Sequence, residues 1–143
     1  MPYRFLENIA TADEAFEAWG ETAEEMFISA SDAVINIMVG DVETVRPRDY
    51  RHFRIEDARI DMLLFQLLQE LIYYKDSEKL MLRTPQIRIQ EKAKPYILEA
   101  TALGEKLDPD RHHPRVDVKA VTLHRFRLDQ TDRGWEAFVI LDI

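Results

Sequence analysis

The stretch DARIDMLLFQLLQELIYYKD, residues 57–76, constrains the fold more than any other part of the chain. Ile60, Leu63, Leu64, Leu67, Leu68, Leu71 and Ile72 recur at the spacing of one helical face. Met62, Phe65, Tyr73 and Tyr74 widen that face well beyond a stripe. So wide an apolar surface predicts a central, buried helix that the rest of the chain must cover.

A first helix is predicted over ETAEEMFISASDAVINIMVG, residues 21–40. Thr22 followed by Glu25 makes a capping box, because the hydroxyl can accept from the Glu25 amide while the carboxylate reaches back. Met26, Phe27, Ala30, Val34, Ile37 and Met38 follow the helical period, and Gly40 closes it.

Nearly everything else reads as strand. YRFLEN and TADEAFEAWG form two short strands at the start, and Gly20 breaks the second. VETVRPRDYRHFRIE reads as two strands around a turn at Pro47. KLMLRTPQIRIQEK, PYILEATALGEKL, VDVKAVTLHRFRLDQ and GWEAFVILDI follow. Lys94-Pro95, DPDRHHP and the run Asp132 to Gly134 supply the turns between them. Two helices among strands that arrive mostly in succession predict an α+β fold, with the helices packed on a largely antiparallel sheet. At 143 residues, one domain spanning 1–143 is expected.

Composition excludes several function classes. There is no cysteine, hence no disulfide, thiolate zinc site or cysteine nucleophile. No apolar run approaches the roughly 20 residues that span a bilayer, and MPYRFLENIA lacks the basic start and apolar core of a signal peptide. A cytoplasmic protein with no membrane partner is expected. The net charge of −8 disfavours general nucleic-acid binding and suits cations or a basic partner. No P-loop, GxSxG elbow or GxGxxG fingerprint occurs among the four glycines.

His112 and His113 are neighbours in a Pro-flanked turn and read as a solvated loop; His124 reads as a strand residue without a paired ligand. RPRDYRHFR interleaves four arginines with Tyr50 and Phe53. Such a pattern can bind single strands, but Asp49, Glu56 and Asp57 nearby favour a balanced polar face of an edge strand.

The carboxylates remain. In WEAFVILDI alternation places Asp142 on one face with Glu136, Phe138 and Ile140. Ile143 shares the other face with Trp135, Ala137, Val139 and Leu141. An acid on such a strand costs free energy unless it faces water, is paired or holds a metal. The terminal carboxylate one residue on would make a second anion. Oxygen-only anionic ligands suit a hard cation more than zinc. A third acid must come from elsewhere. Asp13, at the head of DEAFEAW, is one candidate among several surface acids.

At these residues the chain resembles the archease family. FLENIATADEAFEAWG is similar to the family's opening, where Thr-Ala-Asp leads into a strand ending in Gly. The helices over 21–39 and 63–80 resemble its two helices. ATALGEKLDPDRHHPRVDVKAVTLHRFRL resembles its most recognisable stretch: a Gly-Glu, an Asp, then a His before a Val-Lys-Ala-Val-Thr strand. WEAFVILDI resembles its ending. The resemblance implies a non-enzymatic accessory protein that activates an RtcB-type RNA ligase in tRNA splicing or RNA repair. It would assist guanylylation and repeated turnover, and meet RNA only indirectly.

The resemblance also implies a divalent-metal site formed by Asp13, Asp142 and the terminal carboxylate of Ile143. Calcium is expected there first, then magnesium or manganese. Lys119 matches a functionally important lysine. A chaperone-like modulator of a partner enzyme is a further reading within the family. Clustered acids around a metal also allow a small phosphoesterase, although no general base or substrate loop is visible.

Three departures stand out. Ala10 occupies a place that is often His in the family, which predicts a weaker metal site. Leu67 and Gln69 stand where the second helix often has Trp and Asn. Leu123 stands where a Tyr is usual.

Overall fold

The computed structural model describes residues 2–6 and 13–143. Ala10 therefore lies outside the described residues, as do Thr11 and Ala12 of the opening motif. The order is β1 (Tyr3–Leu6), β2 (Asp13–Gly20), α1 (Ala23–Met38), a 3-10 turn (Val42–Thr44), β3 (Asp49–Asp57), α2 (Ile60–Glu78), β4 (Leu80–Gln90), β5 (Tyr96–Lys106), α3 (Pro109–His112), β6 (Ala120–Val121), β7 (Arg127–Thr131) and β8 (Gly134–Asp142).

The fold is α+β, as the sequence predicts, but its strands divide into two antiparallel sheets. In one, β1, β2, β8 and β6 lie side by side, and β7 also pairs with β8. In the other, β5 lies between β3 and β4. One hydrophobic core cluster joins them through both long helices.

Helix α1 begins as its capping pattern requires. The Thr22 hydroxyl accepts from the Glu25 amide at 3.1 Å, and the Glu25 carboxylate accepts from the Glu21 amide at 2.9 Å. Met26, Phe27, Ala30, Val34 and Ile35 are fully buried. Two glycines sit where a side chain has no room. Gly134, with φ of 128°, would place a Cβ 2.3 Å from the Gly20 carbonyl oxygen. On Gly104 a Cβ would lie 1.7 Å from the Met81 oxygen, so β5 passes β4 closely there.

Helix α2 is less enclosed than its composition predicts. Leu63, Leu64, Leu67, Leu68 and Leu71 are fully buried, yet Tyr73 is 58% exposed and Met62 and Phe65 are only half-buried. The surplus apolar surface partly supports a neighbouring strip of chain: Phe65 meets Phe126 edge to face at 5.9 Å.

Two predicted strand segments are corrected. In VETVRPRDYRHFRIE only β3 forms. The Asp41 carboxylate accepts from the Glu43 amide and the Thr44 hydroxyl donates to the Asp41 carbonyl, so local bonds replace a strand ladder at residues 42–44. VDVKAVTLHRFRLDQ is not continuous either. Only two pieces of it are strand, β6 and β7; both pair with β8, and a turn at 123–126 joins them, with Arg125 at φ of 57°. His124 lies in that exposed turn rather than in a strand.

Candidate functional site

Strand β2 begins at Asp13 and β8 ends at Asp142, and antiparallel pairing sets them opposite each other. Directly opposed residues share a face, with Cβ atoms about 4.5–5.5 Å apart. Both are half-buried. The alternation predicted for the last strand holds. Ala137, Val139 and Leu141 enter the main core with Trp135 and Ile143 packed against it. On the other face Phe138 and Ile140 form a second cluster with Ala15, and Leu6 packs on it. The two acids continue the face of that second cluster.

Lys119 arrives on the far side of β8. Its backbone amide donates to the Asp142 carbonyl at 2.8 Å, and the next residue, Ala120, pairs with Asp142. Lys119 is exposed. Asp13, Asp142, Lys119 and Ile143 therefore meet at one end of the first sheet, although 129 residues separate the two acids in sequence (142 minus 13). Among the described residues, no group of three or more His, Cys, Asp or Glu side chains is arranged to hold a metal. The side chains brought together here, Asp13 and Asp142, are carboxylates, hard oxygen donors that fit calcium, magnesium or manganese better than zinc.

The segment carrying Lys119 is tied to α2. The Lys75 ammonium donates to Asp117 at 2.7 Å, to the Val118 carbonyl at 2.8 Å and also to Asp76. Burial opposes the charge on Lys75, but the hydrogen bonds to Asp117 and Asp76 outweigh it and raise its pKa. The Gln69 side-chain oxygen accepts from the Val121 amide at 3.1 Å.

The Gly-Glu…Asp…His stretch forms a separate buried knot. His112 is fully buried, contrary to the solvated loop expected, because Asp108 and Pro109 start the short helix α3 and turn the ring inward. The Asp108 amide donates to His112 Nδ1 at 2.8 Å, so Nε2 carries the proton and faces Glu105 at 3.1 Å. Glu105 also accepts from the Arg111 guanidinium at 2.8 and 2.5 Å and from the Arg46 amide at 2.6 Å. Hydrogen bonding from Arg111 is the main cause that lowers the Glu105 pKa to about 2, against the effect of burial.

Three of the four arginines of RPRDYRHFR make ion pairs through their side chains. Arg48 lies 3.5 Å from Glu105, Arg51 pairs with Glu78 and Arg54 with Glu56. This is the balanced polar face expected of the stretch. Leu67 is fully buried and Leu123 is 59% exposed.

A concavity of about 1020 Å³ lies at the other end of β2, lined by Arg4, Trp19, Arg133 and Trp135 among others; neither Asp13 nor Asp142 borders it. No helix among the described residues is long and apolar enough to cross a membrane.

Fold and site define a class: a two-sheet α+β protein with two long helices and a carboxylate pair across the end of one sheet. The sequence model of the archease protein family matches residues 3–143, and the chain belongs to that family. It is 34% identical over 134 residues to protein archease of Pyrococcus abyssi, covering 93% of this chain and 94% of that one. To protein archease of Methanosarcina mazei it is 35% identical over 142 residues, covering 99% and 95%. The solution structure of protein 1598 from Methanobacterium thermoautotrophicum superposes with a TM-score of 0.84 at 31% identity, covering 99% of each chain. A Thermotoga maritima crystal structure described as an archease, possible chaperone, shares the fold with a TM-score of 0.66 at 18% identity, covering 98% of each chain.

The sequence reading missed Gln69 and Lys75 as residues that hold the Lys119 segment. Polar character alone does not mark them, because Gln66 and Glu70 of the same helix are polar too.

Proposed function

We propose that this chain is a metal-dependent accessory protein, not itself an enzyme, that activates an RtcB-type RNA ligase in the cytoplasm. The observation that carries the reading is the cross-strand pairing of Asp13 with Asp142 beside Lys119. Family membership supports a partner-modulating role. Asp13, Asp142 and the Ile143 carboxylate would hold the cation, calcium before magnesium or manganese. When bound, the cation supplies positive charge that cancels the repulsion among these anions.

The chain's own residues do the remainder. The β2–β8 ladder fixes the spacing of the two acids, and the Lys119 amide anchors the Asp142 main chain. The exposed Lys119 ammonium is a compact charge available to a partner or to phosphate. Asp13 and Asp142 thus offer a charged edge to the ligase, while RNA is met through the ligase alone.

The test is multiple-turnover RNA ligation by the cognate ligase, with and without this protein. Added protein is expected to raise the number of ligations per ligase, and Asp13→Ala or Asp142→Ala to remove the gain. No acceleration, or acceleration that both variants preserve, would refute the reading.

A further inference from the structure

The strip from Asp117 to Phe126 is held weakly by its own sheet. Strand β6 has only two residues of pairing with β8. Beside them the strip makes the Lys119 amide bond to Asp142 and the Thr122 amide and hydroxyl bonds to Ile140, the latter two each 3.0 Å. So short a ladder opens easily on its own.

Helix α2 supplies what the ladder lacks, at three points along its flank. Phe65 meets Phe126, Gln69 accepts from the Val121 amide, and Lys75 reaches Asp117 and the Val118 carbonyl. The strip thus runs antiparallel along the helix. Lys75 is no ordinary surface lysine: its side chain is 11% exposed and its ammonium has three acceptors, the full complement of its donors. Val118, whose carbonyl it serves, is fully buried. Lys119 is the residue after that carbonyl and Val121 is two further on, so Lys75 and Gln69 bracket Lys119.

The geometry points to Lys75 and Gln69 as positioning residues that hold the strip against the end of β8, and so set both Lys119 and the main chain of Asp142. Releasing the strip frees one side of Asp142 while β2 holds the other. The acid pair then remains, but its outer support is lost. The part concerning metal rests on the proposed function above; the part concerning the strip does not.

The full chain is compared with Lys75→Met and Gln69→Leu, which remove the polar contacts at similar volume. Lys75→Arg and Gln69→Glu keep a donor or an acceptor in place. Amide hydrogen exchange is read at Lys119 and Thr122, with the amides of central strand β5 as reference, and calcium alone is titrated into each metal-free protein. Lys75→Met and Gln69→Leu are expected to speed exchange at Lys119 and Thr122 about tenfold while β5 is unchanged. They should also weaken calcium binding about tenfold, the scale of outer supports of metal ligands. The conservative variants Lys75→Arg and Gln69→Glu should keep both properties close to those of the unsubstituted protein.

Equal acceleration in the strip and in β5 would mean that the two residues only stabilise the whole fold, and would overturn the inference. So would unchanged exchange in the strip. If the unsubstituted protein binds no calcium, the metal reading fails, and the exchange data alone decide the positioning role.

Discussion

Asp13 and Asp142 stand directly opposite each other across β2 and β8, one at the first residue of its strand and one at the last. Like charges in directly opposed positions destabilise a sheet unless something neutralises them. Asp13→Asn should therefore raise the stability of the metal-free protein, by about 0.5 kcal/mol, and abolish stabilisation by calcium. The unsubstituted protein should gain about 2.7 kcal/mol at calcium a hundredfold above its dissociation constant. Thermal unfolding with and without calcium checks both. A loss of metal-free stability in Asp13→Asn would mean that the carboxylate is paired with a protein group instead.

The Glu105 knot predicts a pH dependence. The folded chain holds this carboxyl at about 2, below its ordinary 4.5, so folding disfavours its protonation. The stability it contributes is full above about pH 4.5 and is lost as pH falls towards 2. Glu105→Gln should cost about 3 kcal/mol at pH 7, since it leaves Arg111 without its buried counter-charge. Urea unfolding should find that difference shrinking as pH falls from 4.5 to 2. A difference independent of pH would show that the charge of Glu105 contributes nothing.

Gly104→Ala should be poorly tolerated, because the added methyl would meet the Met81 carbonyl. A loss of about 2 kcal/mol or more is expected by urea unfolding, the scale of overpacked sites. Unchanged stability would mean that β4 moves away from β5 at no cost.

How much of this is legible in the sequence varies with the kind of signal. Helix α1 is readable because its cap and its period agree locally. The last strand is readable because its two faces bury different clusters. The division into two sheets is not, since strand order depends on contacts distant in sequence. His112 is misleading because adjacent histidines near prolines resemble a loop, while the signal that matters is Asp108 as a helix cap followed by Pro109. The break at 122–126 carries no Gly or Asn, and Arg125 adopts the left-handed region without a local signal for it. At the carboxylate site, alternation singles out Asp142, but only resemblance to a family selects Asp13 from other surface acids. The role of Gln69 and Lys75 depends on a helix and a strip that are 42 to 52 residues apart in the chain.

If the Ile143 carboxylate holds the cation as proposed, extending the chain beyond Ile143 should impair the protein more than extending it before Met1, because a peptide bond would replace that carboxylate. Calcium binding about tenfold weaker is expected for the C-terminal extension alone. Equal affinity in the two extended forms would remove Ile143 from the site.

The most direct test of the central claim is a calorimetric titration of calcium into the metal-free protein, beside Asp142→Asn. The account predicts saturable binding of a single ion per chain, lost or weakened at least about tenfold in Asp142→Asn. Absence of binding in the unsubstituted protein, or equal binding in the two, would contradict it.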